Sequence, residues 1–345
     1  MNNINTHGIR DSRSFSAKRF FFRWEWMLVL LIIIANVVNA QLSSNYLNLN
    51  TILDSTKMYL DKSFLVFSMS LVIVIGGIDI SVASTMALSG TVMGIAFVGG
   101  MPMGLAMVVA VLVGAICGAF NGLLITKFKE LAPMIITLGT LSLYRGIAWI
   151  LLEDQSAGGF PDWHYKLSSG AAIKIGSLAI PNIWVAFLVC AVIFALLLHK
   201  TTFGKKLFAI GSNAEAALYS TINVDRCKFI VYTLSGVMAS ISAIFLTSRI
   251  ATVRPNIASG YELEAIAIVV LGGFKTDGGT GTILGSTLSM ILIALIRYGL
   301  GRVGVRAETI LVIVGALLII AVLLPNIAGD IGRRRSKRRL AERRE

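Results

Sequence analysis

The sequence predicts an all-α membrane protein that crosses the bilayer many times, and three observations lead to that fold class. The 345-residue chain is 56% hydrophobic and only 14% charged, and its mean hydropathy of +0.79 is too high for a soluble domain of this length. Long uncharged apolar runs recur from end to end, and a helical span needs about 20 such residues. These runs lack the apolar-polar alternation of a membrane β-barrel. A helical bundle therefore fits the composition.

About ten apolar segments are predicted to be helices, each bounded by polar, glycine or proline residues. Two of them, Phe64–Ile75 and Leu263–Phe274, are short and end at glycine pairs. Together the segments form a membrane domain over residues 25–325, between polar tails at 1–24 and 326–345. In chain order the predicted spans are Trp26–Leu42, Phe64–Ile75, Val82–Val98, Met103–Ile125, Pro133–Leu152, Ile183–Leu198, Phe229–Leu246, Leu263–Phe274, Thr282–Leu300 and Thr309–Leu324.

The distribution of positive charge predicts that both termini are cytoplasmic, because loops on that side carry an excess of Lys and Arg. Threading ten spans from a cytoplasmic N-terminus places the larger share of basic residues inside, including both tails. The inside loops hold Lys127, Lys129, Lys200, Lys205, Lys206, Arg226, Lys228 and Lys275, and the outside loops hold Lys57, Lys62, Lys166, Lys174, Arg249, Arg254, Arg302 and Arg306. The net charge of +13 is therefore interpreted as orientation and contact with anionic lipid, and not as nucleic-acid binding.

Two stretches resemble each other: VIVIGGIDISVASTMALSG from Val72 and IVVLGGFKTDGGTGTILGS from Ile268. Each is a short apolar segment broken by a glycine pair and followed by a polar turn with an aspartate. Unwound backbone at membrane depth is tolerated only where it lines a cavity or is buried in protein. The pairs Gly76-Gly77 and Gly272-Gly273 are therefore candidates for a translocation pathway, although glycine-rich turns can also look alike by chance.

Ionisable and polar groups within the spans are the next candidates, because they are costly in lipid. Asp79 follows the first glycine pair, where capping of the next helix, directly or through Ser81, is favoured over substrate contact. Arg145 lies within a span beside Thr140 and Tyr144, where it either faces a wet cavity and binds substrate or snorkels and pairs helices. Glu262 and Glu264 are expected to favour a helix N-terminus, and Arg297 is expected to snorkel.

The longest well-formed polar interlude runs from His199 to Lys228 and is basic at both ends. Within it, Ala214 to Tyr219 is predicted to be a short helix, with Ser212 or Asn213 at the N-cap and Glu215 in its first turn. Small alanines allow a partner surface to approach closely, and flanking basic residues can pair with acidic groups or lipid head groups. This loop therefore favours contact with another protein over an ordinary solvated turn.

Enzyme chemistry finds little support in the sequence. No GxxxxGK[ST] loop is present, so nucleotide binding by that motif is excluded. The three histidines are scattered and the three cysteines are unpaired in spacing, so no metal centre, catalytic residue or bound cofactor is expected. A secondary carrier or channel, driven by an ion gradient without a partner ATPase, remains an alternative. Asp79 is the only good candidate in the sequence for coupling ion movement to transport.

Five further motifs stand out between the tails: FGKKLFAIGSNAEAALYSTINVDRCKFIVYTLSGVMASISAIF, RPNIASGYELEAIAIVVLGG, GGTGTILGS, GGIDIS and PMIITLGTLSLYRGIA. Together they resemble the permease subunits of bacterial ABC importers for monosaccharides such as ribose, xylose and rhamnose, within the branched-chain-amino-acid/ribose permease superfamily. Relatives in that group import the sugar-derived signal autoinducer-2. The resemblance covers nearly all the chain between the tails.

The resemblance implies a transport subunit without catalytic activity, which pairs with an identical or related second permease subunit. A cytoplasmic ABC ATPase would use ATP and Mg²⁺, and an extracytoplasmic sugar-binding protein would deliver the substrate, rhamnose or a ribose-like sugar. The loop 200–226 would dock on the ATPase. The residues that match this coupling segment are Gly211, Asn213, Glu215, Ala216, Ala217, Ser220 and Ile222. Thr221 departs from the pattern, because the family commonly has glycine there.

Overall fold

A computed structural model describes residues 24–42, 46, 48–306, 308–310, 312–316 and 319. Helices occupy nine of the ten predicted positions, with bounds that differ by a few residues. Half of the residues of the tenth, Thr309–Leu324, lie outside the described residues, as do residues 1–23 and 326–345 of the tails. The helices are α1 (Trp24–Leu42), α2 (Leu49–Thr56), α3 (Ser63–Val74), α4 (Val82–Val98), α5 (Met103–Lys127), α6 (Pro133–Leu152), α7 (Asp162–Ser169), α8 (Asn182–Lys200), α9 (Thr202–Ser212), α10 (Ala214–Tyr219), α11 (Val224–Ile250), α12 (Tyr261–Leu271) and α13 (Ile283–Arg302), with a 3₁₀ turn at Lys57–Lys62.

Six of the described helices are long and apolar enough to span a membrane: α1, α5, α6, α8, α11 and α13. The expectation of several membrane-spanning helices is thereby confirmed, whereas the count of ten crossings stays a prediction. Helices α3, α4 and α12 are too short to meet that length criterion. Helix starts follow local chemistry, since α5, α7 and α8 begin directly after a proline and α6 begins with one.

Helix α3 lies at the centre of the bundle. All 12 of its residues are buried, although it contains serines as well as apolar residues. Its serines satisfy their hydroxyl groups locally, as where Ser70 Oγ donates to Val66 O at 2.8 Å. Because α3 is buried on every side, the other helices pack around it.

Helices α5 and α11 make the most extensive contact in the fold. Gly114 and Gly118 of α5 lie directly against Gly236 of α11, where an added Cβ would collide with backbone atoms. Small residues four apart allow two membrane helices to approach backbone to backbone. The spacing Gly114-Gly118-Gly122 was a readable signal for this contact.

Two small antiparallel sheets complete the described chain. β1 (Ala157–Gly158) pairs with β4 (Thr252–Val253), and β2 (Ala171–Ile175) pairs with β3 (Leu178–Pro181). Both sheets lie near the end of α11 that holds Ser248, whose hydroxyl bonds the backbone of His164. Because α11 has 27 residues, about 40 Å separates this "His164 end" from the "Gly211 end" where α9 and α10 lie.

Candidate functional site

At the Gly211 end, α9 and α10 form a compact pair of capped helices. Thr201 Oγ1 accepts a hydrogen bond from Gly204 N at 3.1 Å at the start of α9. Asn213 Oδ1 accepts from Ala216 N at 2.9 Å at the start of α10. Each cap satisfies a backbone N–H that has no partner inside its helix. The predicted six-residue helix is thus present and capped by Asn213.

The exposure of α10 shows which of its side chains face outward. Glu215 and Ala216 are exposed, whereas Ala217 is buried at 4%. Leu218 is 63% and Tyr219 88% exposed, so two large apolar side chains project from a polar loop. Neither was included among the expected coupling residues, although apolar residues between basic flanks are a visible signal in the sequence.

The remaining predicted coupling residues support this segment from within. Ser220 Oγ donates to Ala216 O at 2.9 Å, and Ile222 N donates to Ala217 O at 3.2 Å. Thr221 has φ of +63°, a left-handed conformation that is rare for a β-branched residue. The turn after α10 therefore has a shape that glycine would adopt with less strain.

Gly211 contacts the interior and not the outer surface. It packs against Val74 O, at the end of α3, and against Gly279 N in the loop before α13. Gly279 N also donates a hydrogen bond to Val74 O at 2.8 Å, and Gly278 lies against the backbone of both Gly76 and Gly211. We call Gly76, Gly211, Gly278 and Gly279 the glycine junction. It joins the end of α9, immediately before α10, to the break after α3 and to the loop before α13.

The two similar stretches of sequence meet through Gly76 of the first predicted glycine pair, and not through Gly272 or Gly273 of the second. Gly76 lies beside Asp277 O, while Gly77 packs on the Tyr232 side chain. Gly272 packs instead against the first turn of α13, and Gly273 against Trp24. The sequence predicted that both glycine pairs line a pathway, which stays a prediction, and it did not indicate that the two loops meet or that Gly278 and Gly279 make the contact.

Asp79 belongs to a buried hydrogen-bond network. Ser81 Oγ donates to Asp79 Oδ1 at 2.6 Å, and Ser235 Oγ donates to Asp79 Oδ2 at 2.9 Å. Asn121 Nδ2 donates to Ser81 Oγ at 2.7 Å, and Tyr144 OH donates to Asn121 Oδ1 at 2.9 Å. The network thus joins the break before α4 to α5, α6 and α11. Asn121 was missed because a lone asparagine in an apolar helix carries no spacing signal.

Thr140 and Arg145, both on α6, donate hydrogen bonds to backbone carbonyls. Thr140 is buried and its hydroxyl bonds Thr137 O of its own helix at 3.3 Å. The Arg145 guanidinium donates to Pro255 O and Ile257 O, both at 2.7 Å. Arg145 therefore holds the segment between α11 and α12 through two backbone carbonyls.

Arg297 pairs with a carboxylate, a partner that the sequence did not indicate, while its predicted snorkelling stays a prediction. Its guanidinium lies 2.9 Å from Glu264 Oε1, and its side chain is 15% exposed. Glu264 also lies 2.7 Å from Lys62 Nζ, so this carboxylate does more than favour a helix N-terminus. Residues 202 positions apart in the chain give no sequence signal for such a pair.

Comparison with known proteins places the chain among transport permeases. Residues 58–322 match the family model described as branched-chain amino acid transport system / permease component. The autoinducer 2 import system permease protein LsrD of Escherichia coli K12 is 35% identical over 88% of this chain and 92% of its own length. LsrD of Salmonella paratyphi B is 35% identical over 88% and 91%.

The fold is also similar to a solved structure. A transporter described as of metal-chelate ABC type, in an inward-facing conformation, superposes with a TM-score of 0.52 at 16% identity. The match covers 87% of this chain and 98% of the other. This likeness supports the arrangement of helices. Among the residues that the structure describes, no group of three or more His, Cys, Asp or Glu side chains could hold a metal ion.

Proposed function

The chain belongs to the family of branched-chain amino acid transport system permease components, and from that membership we propose that it is the transmembrane subunit of an ATP-driven importer. The observation that carries this proposal is α10. It is a short capped helix, exposes Leu218 and Tyr219 among basic flanks, and directly follows the end of α9, where Gly211 packs in the glycine junction. A partner that moves α10 would move the breaks beside α3 and α13 with it.

The proposed partner at α10 is a cytoplasmic ABC ATPase that binds and hydrolyses ATP with Mg²⁺, while this chain holds no cofactor. A second copy of the chain, or a related permease, would complete the pathway, and an extracytoplasmic binding protein would deliver the solute. This arrangement puts the Gly211 end in the cytoplasm, consistent with the excess of basic residues there. In a bacterium the membrane would be the inner one, and the basic tails would contact lipid and not nucleic acid.

The proposed substrate is a small polyhydroxylated solute. Autoinducer-2 is the first candidate to test, because two relatives with that printed function align over nine-tenths of their length. A monosaccharide of the rhamnose or ribose type is the second. Because a separate binding protein would select the solute, uptake assays must include that protein from the same gene neighbourhood.

An ion-driven carrier is less consistent with the geometry around Asp79. Both carboxylate oxygens accept hydrogen bonds from serines, and the residue is 2% exposed. A coupling carboxylate must exchange its ion with water during the cycle. The buried network instead favours a structural task for Asp79.

The test measures ATPase capture and ATP-dependent uptake in proteoliposomes. Tyr219→Glu places a charge on the exposed face of α10, and we expect loss of both ATPase capture and uptake. Tyr165→Glu is the matched control, because Tyr165 is 50% exposed at the opposite end of the bundle. It should leave ATPase capture unchanged. Full capture and uptake by Tyr219→Glu would contradict the proposal, as would solute accumulation by the chain alone without ATP.

A further inference from the structure

Five charged side chains cluster at the His164 end, and none of them contacts the Asp79 network or α10. We call Asp61, Lys62, Arg249, Glu264 and Arg297 the ion cluster. Lys62 Nζ lies 2.7 Å from Glu264 Oε2, and the two side chains are 4% and 12% exposed. Arg297 Nη2 reaches the other oxygen of Glu264 at 2.9 Å. One carboxylate therefore bridges two cations that belong to different elements.

The second pair in the cluster anchors the end of α11. Arg249 Nη2 lies 2.7 Å from Asp61 Oδ2, and the Asp61 side chain has no exposure. Ser242 Oγ of α11 donates to Asp61 O at 2.6 Å, which fixes the Asp61 backbone as well. The Lys62 ammonium also sits 4.1 Å from the centroid of the Tyr261 ring. Charges from the 3₁₀ turn and three helices thus meet at one place.

Burying this many charges is a poor way to gain stability alone. The desolvation of both partners offsets much of their attraction, and apolar replacements of similar volume are often as stable or more so. Ion pairs differ from apolar contacts in one respect: when they separate, water can solvate each partner. A buried ionic contact therefore suits a place that opens to water and closes again.

Glu264 sits in the first turn of α12, and the opposite end of α12 leads to the glycine junction. After Gly272 and Gly273, the loop reaches Gly278 and Gly279, which contact Gly211. Helix α12 and the loop after it therefore connect the ion cluster to the end of α9, immediately before α10. Its 11 residues span about 16 Å, so a tilt at one end displaces the other.

We propose that Glu264 is a positioning residue that holds α12 closed against Lys62 and Arg297 at the His164 end. Movement of α10 during the transport cycle releases this contact, which opens the His164 end to solute. This second statement rests on the proposed function, whereas the holding role of Glu264 does not. In this proposal the ion cluster holds the His164 end closed. The glycine junction transmits movement from the Gly211 end to the cluster through α12.

The holding role is tested by solvent access to α12 in the full chain. Ala265 has no exposure, so in a chain whose three buried cysteines are replaced by alanine, Ala265→Cys should react slowly with a membrane-impermeant maleimide. Adding Glu264→Gln should raise the labelling rate about tenfold or more, because two cations lose their shared carboxylate. The control is Asp54→Asn, which breaks the 3.0 Å pair between Asp54 and Lys57, whose side chains are 62% and 21% exposed. It should not change the rate.

Equal labelling rates with and without Glu264→Gln would overturn the holding role. If Glu264→Gln does not fold, Lys62→Met replaces it. Removing one of the two cations that contact the Glu264 carboxylate should also raise the labelling rate of Ala265→Cys, and an unchanged rate would overturn the proposal. Adding the partner ATPase and ATP should accelerate labelling of the chain with native Glu264. Failure of ATPase binding at that step contradicts the proposed function, while the labelling of Glu264→Gln by itself still decides the holding role.

Discussion

Different interactions stabilise the two ends of this bundle: backbone packing at the Gly211 end and side-chain ion pairs at the His164 end. At the Gly211 end, four glycines bring three backbone segments into direct contact, with a hydrogen bond of 2.8 Å from Gly279 N to Val74 O. At the His164 end, long charged side chains make the contacts, as between Lys62 and Glu264. Backbone packing cannot stretch without steric or hydrogen-bond cost, whereas side-chain ion pairs can separate into water. The difference suits one end to transmit force and the other to open.

The largest effect is expected at the glycine junction, from Gly211→Ala. Its Cβ would collide with Val74 O and Gly279 N, and these backbone atoms cannot turn aside as a side chain could. Overpacking of this kind costs about 1–3 kcal/mol and sometimes more. We expect a lower melting temperature in detergent and loss of ATP-dependent uptake.

The matched control is Gly104→Ala, because nothing lies within 4 Å of a Cβ built at Gly104. It should melt and transport like the unsubstituted chain. If both alanine variants behaved alike, the junction would not be the rigid contact that distinguishes the Gly211 end.

A smaller effect is expected from Ser235→Ala, which removes one donor from the Asp79 carboxylate. A hydrogen bond to a charged group contributes about 1.5–3 kcal/mol, so the free energy of unfolding should fall by about 2 kcal/mol. Ser142→Ala changes an exposed serine on α6 and should have little effect. Denaturant or thermal unfolding in micelles compares the two, and equal stability would show that the network does not brace the break beside Asp79.

The stability of the His164 end should depend on pH through His164, which lies outside the membrane-spanning helices. His164 in α7 is buried, and its burial lowers the pKa to about 4, below the ordinary value of 6.5. The native state therefore binds a proton less readily than the unfolded state. Stability contributed by His164 is complete above about pH 6.5 and is lost as pH falls toward 4. His164→Gln should reduce the dependence of the melting temperature on pH between those two values. An unchanged pH profile would contradict this.

The smallest effect is a gain, from Thr221→Gly. Thr221 adopts φ of +63°, and a left-handed conformation costs a non-glycine residue about 1 kcal/mol. Glycine relieves that strain but loses more conformational entropy on folding, so the net increase in stability should be below about 1 kcal/mol. Thr126→Gly, in the last turn of α5, should destabilise the chain instead. A loss of stability in Thr221→Gly would mean that the strained turn is held by contacts of the threonine side chain.

Much of the fold was readable from the sequence, because span length and helix caps are local properties. The short helix at Ala214–Tyr219 was predicted and is present, and Asn213, one of the two predicted N-cap candidates, caps it. Which side of that helix is buried could not be predicted, because six residues make less than two turns. In the structure Ala217 lies on the buried side. The ATPase-docking role of these residues stays a prediction.

Contacts between distant residues were the part that sequence patterns could not supply. Gly211 meets Val74 and Gly279 only because the ends of α9 and α3 come together with the loop before α13, and Arg297 meets Glu264 only because α12 and α13 pack together. Arg145 lacked any signal for its carbonyl partners Pro255 and Ile257. Residue type marked these positions as unusual, and tertiary packing decided what each one does.

The most direct test of the account is the location and protection of Tyr219. In the cysteine-free chain, Tyr219→Cys should react with an impermeant maleimide added from the cytoplasmic side of the membrane, because residue 219 is 88% exposed. Bound ATPase should block that reaction and leave labelling of an introduced cysteine at Tyr165, from the opposite side, unchanged. Labelling of residue 219 from the external side, or no protection by bound ATPase, would contradict the claim that α10 transmits the force of ATP hydrolysis to the bundle.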